Sequence, residues 1–270
     1  MFTDFEWCDQ AGSIFGLMVC TIGSSNGVET YENGANIEMT TVNVPGSTRW
    51  VYLSGKYTEV LTCTFQVCKN PCTTSSDTFT SEELRFFNRW LNRNDGYHKF
   101  KLVSKEDPGY AEFYYNAQLN VKKIEFAGSV IGLEITVTCD APFGYFEPQK
   151  IIMNLTDDNL QYVYIDESDE VGSLYPKFEI MCNGTGDFII SNSLSGKQSK
   201  ISNCKKNELI TIDSEHKIIM SSLRNGDIIK DFNFGWLDVV NKFDNRKNVY
   251  ISNLPCTITM TYSPIAKIGM

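Results

Sequence analysis

The chain has 270 residues, 42% of them hydrophobic and 13% aromatic, with a formal net charge of -9. That length suits one large domain or two of ordinary size, and aromatic and β-branched residues spread along the whole chain exclude a disordered one. The acidic balance argues against a nucleic-acid binder, which needs a basic stripe to neutralise phosphates.

The first residues, Met1-Phe2-Thr3-Asp4-Phe5-Glu6, are acidic, and the apolar run Ile14-Phe15-Gly16-Leu17-Met18-Val19-Cys20 is too short for a secretory core. No stretch approaches the ~20 apolar residues of a membrane span. The expectation is a soluble chain made in a cytoplasm.

Strand signals then dominate: "GLMVCTI", "EMTTVNVPG", "RWVYLSG", "EVLTCTFQVC", "YHKFKLV", "AEFYYNAQLNVKKIEFAG" and "GLEITVTC" are short β-branched and aromatic runs punctuated by Gly, Asn and Pro. Period two is clear in the fourth. Leu61, Cys63, Phe65 and Val67 share one face, and Thr62, Thr64 and Gln66 the other.

One helix interrupts them, "FTSEELRFFNRWLNRNDG". Thr80 and Glu83 have capping-box spacing, and Phe79 before the cap can pack on Leu84. Leu84, Phe87 and Leu91 form an apolar stripe widened by Phe86 and Trp90. Asn94-Asp95-Gly96 should stop it. So wide an arc should pack across a sheet, or also against a neighbouring subunit.

"VTCDAPFGYF" reads as a seam between two units. Pro142 cannot join a strand ladder, and Gly144 is expected to allow a bend, which puts a boundary near residue 147. Residues 1–147 hold 11 Lys+Arg against 18 Asp+Glu, whereas residues 148–270 hold 13 against 15, so the acidity lies mainly in the first part. After the seam, "EPQKIIMNLTDDNLQYVYIDESDE" reads as a crossing segment with an acidic end. Short, evenly spaced strands follow from "YPKFEIMCNG" to "NVYISNLPCTITMTY", the pattern of an all-β sandwich.

Candidate chemistry is sparse. His98 and His216 read as surface or edge residues, and no nucleophile, phosphate-loop or zinc-protease motif is present. No catalytic, cofactor or metal residue is expected. The nine cysteines form no common metal pattern and read as reduced, buried thiols. Asp166-Glu167-Ser168-Asp169-Glu170 lacks calcium-loop spacing and reads as a solvated loop. Tyr162, Tyr164, Tyr175, Phe232, Phe234 and Trp236 could stack on a sugar, or could simply pack a core.

The order of six segments from Gly12 to Tyr145 resembles the N-terminal domain of siphophage distal tail (Dit) proteins. They are "GSIFGLMVCTI", "TTVNVPGSTRW", "YTEVLTCTFQV", "ELRFFNRWLNRNDGYHKFKL", "DPGYAEFYYNAQL" and "GLEITVTCDAPFGY". More loosely, "LYPKFEIMCNGTGDFIISN", "NELITIDSEHKIIM" and "CTITMTYSP" resemble the galectin-like second domain of longer members.

The resemblance implies a mainly β protein. A ring-forming β-sandwich or barrel-like domain with one helix, residues 1–147, would precede a galectin-like, carbohydrate-binding-module-like sandwich, residues 148–270. It implies a homo-hexamer in the virion tail tip or baseplate, with DNA only passing through a central channel. Its partners would be a tail tube protein, a tail-tip or tail-associated protein, and a receptor-binding protein or tail fibre.

Trp50, Arg89 and Trp90 are the residues expected near the ring interface, because buried aromatic and Arg anchors are favoured there. An acidic channel wall is expected to repel DNA. Tyr164, Phe234 and Trp236 are the candidates for contact with a sugar or partner. The alternative role is a carbohydrate-binding adaptor or adhesin module that recognises a cell-wall saccharide of the host.

Overall fold

The computed structural model describes residues 2–22, 34–104, 109, 112–224 and 226–269. Contacts divide the chain into two units, Met1–Phe146 with Ala266–Met270, and Glu147–Ile265.

In the first unit the chain runs β1 (Phe2–Trp7), β2 (Gln10–Ala11), β3 (Leu17–Cys20), β4 (Ile37–Asn43), β5 (Trp50–Tyr57), β6 (Thr62–Lys69), α1 (Ser81–Leu91), β7 (His98–Ser104), β8 (Phe113–Phe126), β9 (Ser129–Cys139) and β10 (Gly144–Phe146). Seven of these form one antiparallel path, β2-β1-β7-β8-β9-β6-β3, with β10 beside β8. The N-terminal strand β1, which composition did not reveal, pairs with β7 and buries Phe5 and Trp7.

Alternation decides the faces. Phe113, Tyr115, Ala117 and Leu119 of β8 and Leu133, Ile135, Val137 and Cys139 of β9 are buried on one side. The other side presents polar rows fixed by register: Thr62 beside Thr138 beside Gln118, and Thr64 beside Thr136 beside Asn120. The Thr64 and Thr136 hydroxyls lie 3.2 Å apart, within hydrogen-bond reach.

The helix closes the apolar side. Thr80 and Glu83 form the expected capping box, and Glu83 also takes the ammonium of Lys69 at 2.7 Å. Lys69 ends β6 and is buried, with its ammonium 5.3 Å from the centre of the Phe79 ring. One carboxylate therefore caps the helix and ties it to a central strand. Phe79 packs edge-on to Phe87 at 5.7 Å, and the helix ends at Leu91 with Asn92 as its C-cap, before the Asn-Asp-Gly stop signal.

At the seam, β9 stops at Cys139 and Asp140 accepts from Asn116 at 3.1 Å. Gly144 is not a bend, because its φ is ordinary. A Cβ there would come within 3.0 Å of the Tyr115 ring, so the glycine permits close strand packing. The carboxylate-rich turn before Phe113 lies mostly outside the described residues.

The second unit continues with β11 (Gln149–Leu155), β12 (Gln161–Ile165), β13 (Gly172–Leu174), β14 (Lys177–Cys182), β15 (Gly186–Asn192), β16 (Gln198–Cys204), β17 (Leu209–Asp213), β18 (Ile218–Ser221), β19 (Val239–Asn241), β20 (Lys247–Ser252) and β21 (Cys256–Tyr262). One sheet is β11-β21-β14-β17-β18 and the other β12-β20-β15-β16. Phe178, Ile180, Phe188, Ile190, Tyr250 and Ile258 fill the core between them.

Two expectations fail here. The supposed crossing segment 147–170 is two strands, β11 and β12, one in each sheet. Its alternation in "QKIIMNL" and "QYVYI" was a legible strand signal. The short strand β22 (Ile265–Ala266) pairs with β10, and Ala266 and Ile268 join the first core. The Tyr115 hydroxyl donates to the Gly269 carbonyl at 3.1 Å, so the chain end belongs with the first unit.

The Glu83 contacts carry a pH dependence. Burial pushes this carboxyl up, but hydrogen bonds from Lys69 and Thr80 outweigh it and hold the carboxyl below its ordinary value. A depressed folded-state value gives stability that is present above the unfolded pKa, about 4.3, and is lost as pH falls through the folded one. Chemical denaturation of Glu83→Gln at pH 7 and below pH 4 should show that the variant loses most of this acid sensitivity. Thr80→Ala should cost roughly 1 kcal/mol at pH 7.

Candidate assembly and contact surfaces

Among the described residues strands β4 and β5 pair only with each other, and every position from Ile37 to Lys56 within them is exposed. The ribbon carries Ile37, Met39, Val42, Val51, Tyr52 and Leu53, with Trp50 67% exposed at its turn end. A lone two-stranded ribbon is marginal in water at best, and an apolar one is a template for pairing with another chain.

The other two ring-interface candidates lie on α1. Arg89 is exposed on the last turn. Trp90 is half-buried among Phe5, Phe15 and Phe87, with Phe15 nearest at 4.5 Å between ring centres. Its carbonyl accepts from the Trp7 indole at 2.9 Å, while its own indole N–H is buried without a partner. Trp90 thus organises the first core, and Trp50 is the exposed tryptophan of the pair.

The sugar-or-partner candidates separate. Tyr164 meets the Tyr262 hydroxyl at 2.6 Å and donates to Gln149. Tyr262 donates to Asp166 at 2.8 Å, and Ser168 donates to the same oxygen at 3.0 Å. Asp166 and Ser168 are 2% and 1% exposed, so the acidic stretch is a solvated loop only at its other positions. Burial pushes the Tyr262 hydroxyl far above tyrosine's ordinary range, and it stays a donor.

Phe234 and Trp236 do come together, through Phe232, whose ring centre lies 5.7 Å from Phe234 and 5.0 Å from Trp236. Phe234 is exposed and has φ 57°, a left-handed conformation that is costly for a bulky residue. Sequence reasoning missed what surrounds them. Tyr175 was among the aromatic candidates, but Lys197, Lys217 and Asp238, which meet it and Trp236 from three other segments, were not, and no spacing pattern could have revealed them.

The candidates for chemistry resolve into structural contacts. His98 lies 2.7 Å from Asp95 and edge-on to Trp7 at 5.5 Å, and His216 lies 2.9 Å from Asp213. Burial pushes the Cys63 thiol up to about 12 and Cys139 higher still, the opposite of an activated nucleophile. Among the described residues no cluster of His, Cys, Asp and Glu could hold a metal, and no helix is long and apolar enough to cross a membrane.

Residues 1–141 match the phage tail protein N-terminal domain, and residues 143–262 match the phage tail C-terminal domain. The chain belongs to this phage tail protein family. No curated protein matches the tail protein in sequence. Its fold is similar to the crystal structure of the SPP1 Dit protein (gp 19.1), described as a paradigm of the hub adsorption apparatus in phages that infect Gram-positive bacteria. The TM-score is 0.66 at 12% identity, over 97% of this chain and 99% of that one. The tail protein is therefore a structural component of a virion with a distal-tail-protein fold.

Tyr262→Phe tests the buried network. It leaves the Asp166 carboxylate one donor short and should lower the stability of the second unit by about 1–3 kcal/mol in a denaturant titration. Tyr164→Phe should cost less, since Gln149 is exposed enough to be hydrated.

Proposed function

We propose that this tail protein is a tail-tip hub, a homo-hexameric ring that joins the tail tube to the tip or baseplate. The part before residue 147 builds the ring, and the second unit anchors receptor-binding or other adhesion proteins. The observation that carries the reading is the β4–β5 ribbon, an apolar antiparallel pair that no other described strand joins and whose residues from Ile37 to Asn43 and from Trp50 to Lys56 are exposed. In a ring the ribbon of each subunit covers a different patch on the next, a heterologous contact that closes on itself. Trp50 is the natural anchor of that contact, with Arg89 on the helix as a second.

The polar side of the large sheet suits a channel wall. Thr62, Thr64, Gln66, Thr136, Thr138, Gln118 and Asn120 form a neutral band of hydroxyls and amides. Its charged neighbours offset one another, with Glu6 opposite Lys101 and Lys122 3.3 Å from Glu134. The wall we propose is therefore weakly charged, and the acidic excess of residues 1–147 lies elsewhere. DNA slides past such a wall because it offers few fixed cations to bind phosphate.

Light scattering with negative-stain imaging should show six-fold rings, alone or with the adjoining tail proteins. Trp50→Asp with Leu53→Asp should leave thermal melting unchanged, because both side chains are exposed in the single chain, yet abolish the rings. Rings that survive the double variant would overturn the role of the ribbon. The absence of any higher assembly with the adjoining proteins present would overturn the hub.

A further inference from the structure

We propose that one end of the second unit is a binding site for an acidic saccharide, built by Lys217, Tyr175, Trp236 and Phe234 beside the ion pair Lys197–Asp238, whose carboxylate is buried. These residues come from four connections: the one before β14, the turn before β16, the turn before β18, and the segment before β19. Such loop ends are where a sandwich commonly carries its binding residues.

Charge is the first argument. The Lys197 ammonium lies 2.9 Å from the Asp238 carboxylate, which is fully buried, and 3.0 Å from the Tyr175 hydroxyl. That pair neutralises itself. The Lys217 ammonium lies 4.1 Å from the centre of the Tyr175 ring and 5.4 Å from that of Trp236, and donates to the Ser214 carbonyl at 2.7 Å. It has no carboxylate within ion-pair distance among the described residues. One uncompensated cation is thus fixed between two aromatic rings, ready for a carboxylate or phosphate.

Two buried polar groups beneath it also lack partners. Ser214 is fully buried and its hydroxyl has none, and neither does Oδ1 of Asp238. Native interiors rarely leave such groups unmatched, so this end of the unit is not packed to satisfy itself.

Shape is the second argument. Phe234, 61% exposed, and Trp236 both pack on the ring of the buried Phe232, which sets them on neighbouring positions. The left-handed backbone of Phe234 is held from both sides. Asn233 accepts from the Lys200 and Gly235 amides at 2.9 and 3.0 Å and donates to the Gln198 carbonyl at 3.2 Å. Gly235 lies so close to β16 that a Cβ would fall 1.9 Å from the Gln198 carbonyl oxygen. A strained, exposed aromatic fixed this firmly is a preorganised platform, and the apolar face of a sugar ring fits it. A nucleic acid fits less well, because tracking a phosphate backbone needs a row of cations.

The test uses the full chain and three probes of equal length: an oligogalacturonate, a sugar-phosphate oligomer and a neutral dextran fragment. Calorimetric titration at low salt should show binding of at least one acidic probe and much weaker binding of dextran. Lys217→Ala should weaken it roughly tenfold, Lys217→Arg should retain most of it, and Phe234→Ala should also weaken it. Preference for carboxylate or phosphate would identify the acid group. No binding of either acidic probe, equal binding of dextran, or an unaffected Lys217→Ala would overturn the site. Lys217→Ala should assemble normally, so failure here is distinct from failure of the ring.

Discussion

A sheet with one apolar face must have that face covered, and in the first unit an eleven-residue helix does so through a single carboxylate. Glu83 accepts from the Thr80 amide and from Lys69, so the start of the helix and the end of β6 share one anchor. Everything beneath depends on that fit: Trp90, backed by Phe87, reaches Phe5 and Phe15 only when the helix lies there. The buried lysine is tolerable because its charge is met and its stem and ammonium lie against Phe79.

The same coverage rule explains what is left over. The helix and the main sheet satisfy each other, and the β4–β5 ribbon takes no part in that arrangement. Its apolar residues remain in water in the single chain, which is reasonable only for a protein that works as an assembly. The second unit needs no such partner, since its two sheets bury one another's inner faces. Its surplus is local, a strained phenylalanine and an unmatched lysine at one end. The two units thus differ in kind: the first leaves an apolar ribbon exposed, the second a local patch of aromatic and basic side chains.

Much of this was legible in the chain. Thr80 and Glu83 announced the helix start because a capping box is a local, four-residue device. The alternation around Phe65 announced β6, and Pro142 announced the end of β9. Misreadings arose where local rules compete. Gly144 looked like a bend and is a close-packing position. The stretch 147–170 looked like a connection because its two strands are split between two sheets. Asp166 looked solvated because nothing local shows that Tyr262, 96 residues away, donates to it.

The sequence by itself determined most of the strands, the helix, the β class of both units and the family, since each follows from short-range periodicity or from ordered motifs. Only the tertiary structure decided which polar residues are buried and which aromatics stand free. Trp50 and Trp90 are chemically alike, yet one faces solvent on an unsupported ribbon and the other packs under a helix. Tyr164, Phe234 and Trp236 were read together, yet only the last two pack on a common ring, that of Phe232. Burial and convergence depend on contacts between residues far apart in the chain, and no local pattern encodes them.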